Sequence, residues 1–134
     1  MNPHIKTIGL LVLISLFSLS SAAWCIEDGD GNKLLSNCGA AIALLDDQSV
    51  DQSKRAGIFF CLGLMQGMLH MNQFYEYQLK GAALFCQPDG TTTEQAARIV
   101  VKYLRDHPEE LHKHDSVLAF TALKAAFPCA NRKK

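Results

Sequence analysis

The sequence predicts an all-α fold, a compact bundle of about four helices stapled by two disulfides. Three observations carry that prediction. Apolar residues return every three or four positions in four separate segments, the spacing of helices with one buried face. No stretch alternates apolar and polar residues with the period of two that a half-buried strand needs. Five cysteines stand behind a start that reads as an export signal, so the thiols meet surroundings in which disulfides persist.

That start is cationic at Lys6 and then apolar or small from Thr7 to Ser20. Ser21-Ala22-Ala23 supplies the small residues a signal peptidase reads, which places the cut after Ala23. The apolar run falls short of the roughly 20 residues that cross a bilayer, so residues 1–23 read as a signal peptide and not as an anchor. Lipid attachment at Cys25 would need a small residue before it, and Trp24 stands there. The mature part, 24–134, suits a single domain with no membrane attachment after cleavage. A chain that short buries only about two thirds of its unfolded surface, so covalent staples help it. Losing Lys6 from a balanced 13 basic and 13 acidic residues leaves a net charge of about −1. No basic face announces nucleic acid.

The elements follow in order. Leu34, Leu35, Cys38, Ala41, Ile42 and Leu45 mark the buried face of a first helix, and the polar run Asp46–Ser53, with only Val50 apolar, reads as a loop. A second, longer helix is expected from about Ser53 to Lys80, ended by Gly81. Its middle, Ile58 to Leu69, is apolar nearly all round, which predicts a central buried helix. Gly63 and Gly67 lie four apart on one face and point to close helix approach, since helical glycine costs about 1 kcal/mol relative to alanine. Pro88 and Gly90 mark a turn within Phe85–Gly90. Thr92 with Gln95 forms a capping box opening a third helix, with Ala96, Ile99, Val100, Tyr103 and Leu104 inward. Pro108 stops it near Asp106. A fourth helix is expected to start around Pro108 to His112 and to bury Leu111, Leu118, Ala122 and Ala125.

Four cysteines have staple positions. In two antiparallel helices, residues whose mean number falls on the turn lie at one level. Cys38 and Cys61 average to the 46–53 loop, and Cys86 and Cys129 to His107-Pro108, so both pairs close helical hairpins within disulfide reach. The alternative, Cys61 with Cys86 and Cys38 with Cys129, would staple the hairpins to each other. Cys25 is left over as a free thiol.

No catalytic or metal site emerges, and no cofactor is called for. His107, His112 and His114 stand near Glu109 and Glu110, but His112 and His114 are two apart and point to different helix faces. The cysteines lack a thiolate-lowering motif such as Cys-x-x-Cys, and Ser36, Ser49 and Ser53 have no partnered base or glycine elbow. The acidic Asp28–Gly31 segment would repel phosphate, and the closing glutamate of a calcium loop is missing. What remains is a chain that acts through its surface.

The C-terminal half is more specific. Cys86-Gln87-Pro88-Asp89-Gly90-Thr91-Thr92-Thr93-Glu94-Gln95, Val100-Val101-Lys102-Tyr103-Leu104, His107-Pro108-Glu109, Leu111-His112 and the run from Ala122-Leu123 to Ala126-Phe127-Pro128-Cys129 resemble the Rap/Tai family of type VI secretion system amidase immunity proteins. Cys38 and the Cys61–Gly67 segment extend the likeness loosely, with Leu64 and Met65 where the family places a tyrosine before the glycine. The resemblance implies a periplasmic helical domain, often a homodimer, that plugs the cleft of a peptidoglycan amidase effector. The matching residues read as cap, turn, staple and core, so the toxin-contacting surface lies elsewhere. The protruding acidic loop, Asp46, Asp47, Gln48, Ser49 and Asp51, is the candidate, because partner contacts favour loops on rigid scaffolds. The competing class is a general periplasmic chaperone-like binding module without a toxin partner.

Overall fold

The computed structural model describes residues 29–79 and 83–129. The expected signal peptide, Cys25, the Gly81 helix stop and the basic C-terminus lie outside the described residues. Four helices follow one another: α1 (Gly31–Leu45), α2 (Arg55–Gln78), α3 (Thr93–Asp106) and α4 (Asp115–Ala126), with one-turn 3-10 segments at Gln52–Lys54 and Pro108–Glu110. The fold class is all-α, as the spacing predicts, and the described residues contain no strand beyond an isolated bridge between Asp30 and His114. No described helix is long and apolar enough to cross a membrane.

α1 begins where Asp30 folds its carboxylate back to accept the Lys33 amide at 2.9 Å. That satisfies one of the donors a helix start leaves open. It packs chiefly on α2 and α3, and α3 in turn carries α4. Leu34, Cys38 and Ala41 from α1 meet Ile58, Cys61, Met65 and Leu69 from α2, with Ala96, Val100 and Leu104 from α3 and Leu118, Ala122 and Leu123 from α4 closing the core. Each fully buried aliphatic side chain contributes roughly 1.5–3 kcal/mol. The Thr92 hydroxyl accepts the Gln95 amide at 3.1 Å, so the expected cap opens α3. Gly90 takes a positive φ of 80° in the Pro88–Thr91 turn, where the Thr91 amide donates to the Pro88 carbonyl at 3.2 Å.

Both hairpin disulfides form. Cys38 bonds Cys61 with Cα atoms 5.2 Å apart, and Cys86 bonds Cys129 at 4.9 Å. The first joins two helices inside the core. The second joins the strand-like segments flanking α3 and α4, where the Cys86 amide also donates to the Phe127 carbonyl at 2.9 Å.

Three expectations are corrected. The fourth helix starts at Asp115 and not at Pro108–His112. Pro108–Glu110 makes one separate turn, and the chain then runs extended to pair with Gly29–Gly31: the Gly31 amide donates to the Lys113 carbonyl at 3.1 Å, and the Asp115 amide to the Gly29 carbonyl at 3.0 Å. A Cβ on Gly31 would stand 2.8 Å from the Leu111 backbone, so glycine is what lets the two segments close. As a result Leu111 is half-buried, and Ala125, with nothing packed outside it, is exposed. Leu45 also faces out, beyond the last turn that α2 covers.

The third correction concerns α2. It is not buried all round: its inward face holds Ile58, Cys61, Met65, Leu69 and Asn72, while Phe59, Phe60, Met71, Phe74 and Tyr77 are exposed. Gly63 and Gly67 do not mark internal approach, because a Cβ on either would meet nothing within 4 Å. The helix approach within the fold is at Gly57, where a Cβ would stand 2.2 Å from Asn37 Oδ1.

Candidate partner-binding surface

The 46–51 loop joins α1 to the 3-10 turn before α2, and it is braced at both ends. At its start the amides of Asp46, Asp47 and Gln48 donate to the carbonyls of Ile42, Leu44 and Ala43 at 2.9, 3.2 and 2.9 Å. Asp47 takes a φ of 55°, in the left-handed region that aspartate tolerates better than most side chains. At its far end the Asp51 carboxylate accepts the Ser53 amide at 2.7 Å and caps the 3-10 turn. Val50 packs inward against the core and pins the middle.

This bracing divides the five candidate residues. Asp46 is committed to the fold: its carboxylate is 2.5 Å from the Arg98 guanidinium on α3, which also meets Glu94 at 2.8 Å. The Arg98 hydrogen bond holds the Asp46 carboxyl below its ordinary range. Asp51 is committed as a cap, and the hydrogen bonds from Ser53 lower its carboxyl likewise. Asp47, Gln48 and Ser49 project from the crest, exposed. The structure therefore brings the five together as a turn in which two residues fix the frame and three face outward.

Reading the sequence missed the apolar floor beside that crest. Leu44 and Leu45 are exposed at the end of α1, and Phe59 is 72 % exposed on the first turns of α2. Leu44, Val50, Asp51, Arg55, Ile58 and Phe59 line a groove of about 280 Å³, just under the size of a small-molecule pocket and wide enough for a partner's side chain. The available signal was the pair Leu44-Leu45. Both cannot lie on the stripe of Leu34, Cys38 and Ala41, so at least one had to face out.

The histidines take separate structural places. His107 stacks on Tyr103 with ring centroids 4.2 Å apart, and its Nδ1 lies 3.0 Å from the Tyr103 carbonyl. Tyr103 donates its hydroxyl to Glu110 at 2.9 Å, and burial followed by that carboxylate pushes the phenol up. His114 caps α4, with Nδ1 3.0 Å from the buried Asp115 carboxylate. His112 is exposed. No group of three or more His, Cys, Asp or Glu among the described residues is placed to hold a metal ion.

A residue unremarked in the sequence holds the α2–α3 connection. Asn72, fully buried, donates to the Phe85 carbonyl at 2.8 Å and accepts the Leu84 and Phe85 amides at 2.8 and 3.1 Å. It seats Phe85 in the core, between Phe120 and Phe127.

No individual curated protein and no solved structure matches the chain. The sequence model of the Rap1a immunity proteins matches residues 30–129, from the Asp30 cap of α1 through Cys129 of the second disulfide. Because that match spans the whole described bundle, the chain belongs to the Rap1a immunity protein family.

Proposed function

We propose that this protein is a periplasmic immunity protein that binds and inhibits a type VI secretion peptidoglycan amidase effector, with residues 46–51 as the segment that enters the effector's cleft. Family membership implies immunity against a secreted effector, and the two disulfides fit an exported protein. The observation that carries the surface assignment is the loop's bracing. Asp46 and Asp51 spend their charge on Arg98 and Ser53, so Asp47, Gln48 and Ser49 are presented on a preformed turn. A preformed turn loses little conformational freedom on binding. Leu44 and Phe59 beside it supply apolar area, and large side chains of that kind dominate binding energy at such contacts. The protein acts by occupying the effector and needs no chemistry or cofactor of its own. The family resemblance further implies that it works as a homodimer.

The test is a non-reducing pull-down from periplasmic extract with the tagged 24–134 domain. The expected result is one peptidoglycan amidase in stoichiometric amount, lost when Asp47→Lys and Ser49→Lys are combined. A broad set of clients that grows as pH falls, with no amidase, would move the function to the chaperone-like reading.

A further inference from the structure

The outward face of α2 is the largest feature that the loop assignment leaves unused. Phe59, Phe60, Met71, Phe74 and Tyr77 are 72, 46, 52, 57 and 83 % exposed. At ~200 Å² per large side chain they leave on the order of 600 Å² of mainly apolar surface, at the upper end of what a monomer shows. Gly63 and Gly67 sit in the centre of this face with open space above them. From Ala56 to Tyr75 the helix carries no Asp, Glu, Lys or Arg. Its charges are Arg55 at the N-terminal end and Glu76 near the C-terminal end.

We infer that this face is the seat of a second copy of the chain, with two α2 helices packed antiparallel about a two-fold axis near Gly63 and Gly67. The inference rests on the homodimer reading and names its surface; it is independent of the amidase reading. Four features select this occupant. The face is self-complementary: a flat glycine centre lets two backbones approach, and a two-fold axis there lays Phe59 of each copy against the Met71–Phe74 turn of the other. The antiparallel sense brings the Arg55 end of one helix to the Glu76 end of the other and opposes the helix dipoles, whereas a parallel pair would align like ends. The available area, with Gln66 and His70 completing the stripe, approaches the ~800 Å² per partner of a stable interface. Finally, the face lies on one helix, so the crest of the 46–51 loop is left free for an effector.

Sedimentation equilibrium of the oxidised 24–134 domain, beside Gly63→Glu and Phe74→Lys, tests this. Gly63 lines no part of the groove beside the loop, and a side chain there meets nothing in the monomer, so the fold is expected to keep its helical circular dichroism. The wild type should be a dimer, and each substitution should weaken dissociation at least about 100-fold. A wild type that is monomeric at about 100 µM overturns both the dimer and this surface. A wild-type dimer that neither substitution weakens overturns the surface alone. A monomeric wild type whose Gly63→Glu variant no longer captures the amidase would assign the face to the effector. None of these outcomes depends on whether the effector is an amidase.

Discussion

α2 and α3 solve the same inward problem and differ outward. Each lays an apolar stripe into the shared core, Ile58, Cys61, Met65 and Leu69 on α2 and Ala96, Ala97, Val100, Val101 and Leu104 on α3. Outward, α3 satisfies itself. Arg98 reaches Glu94 one turn away and Asp46 on the loop, and Lys102 pairs with Asp106 at 2.5 Å. α2 presents aromatic rings and two bare glycines. A solvated helix in a small exported domain is expected to look like α3. The contrast therefore locates the surface that needs a partner, and it separates that surface from the loop that α3 holds in place through Arg98.

The largest expected effect lies where α2 turns inward. Asn72→Ala removes the acceptor of the Leu84 and Phe85 amides and the donor to the Phe85 carbonyl, leaving buried backbone groups without partners at about 1–3 kcal/mol each. A loss of roughly 2–4 kcal/mol in urea unfolding is expected. Asn72→Ala that unfolds like the wild type would show that the 83–86 segment is not held as described.

Less severe is the order of disulfide reduction. Cys38 and Cys61 are fully buried between helices, whereas Cys129 is exposed. Mild reductant should open Cys86–Cys129 first, and mass mapping of the alkylated thiols reads the order directly. Simultaneous opening would mean that the α3–α4 hairpin does not loosen separately from the α1–α2 hairpin.

The smallest effect belongs to the charged face of α3. The carboxyls of Asp46, Asp106 and Glu110 are lowered by hydrogen bonds from Arg98, Lys102 and Lys113 respectively. A lowered carboxyl favours the folded state above its ordinary pKa of about 4, and that contribution fades as pH falls through the folded value. These pairs are exposed, so the thermal midpoint should decline only modestly below about pH 4, and less so in high salt. A strong pH dependence between 5 and 8 would contradict this assignment.

Much of the fold was legible because its signals are local. Thr92 with Gln95 specifies a cap, Gly90 a left-handed turn, and the cysteine numbers place two pairs at common levels of two hairpins. The outward face of α2 was not legible. A run that is apolar nearly all round states that the helix wants cover on several sides, and the chain supplies it on one. The start of α4 was hidden for a different reason: Pro108 permits a helix, but the bridge from Gly29–Gly31 to 113–115 is a contact between distant segments. Within the candidate loop, the sequence shows five polar residues alike. Only the positions of Arg98 and Ser53 separate Asp46 and Asp51, which hold the turn, from Asp47, Gln48 and Ser49, which face outward.

The central claim is that residues 46–51 present a preformed surface to an amidase. Titration calorimetry of the oxidised 24–134 domain against the purified amidase recovered from the pull-down tests it most directly, with Asp47→Lys/Ser49→Lys as the paired variant. The account predicts tight binding by the wild type and a loss of at least about 100-fold in the variant, the size expected of a contact at the centre of an interface. A folded variant that binds as tightly as the wild type would contradict it.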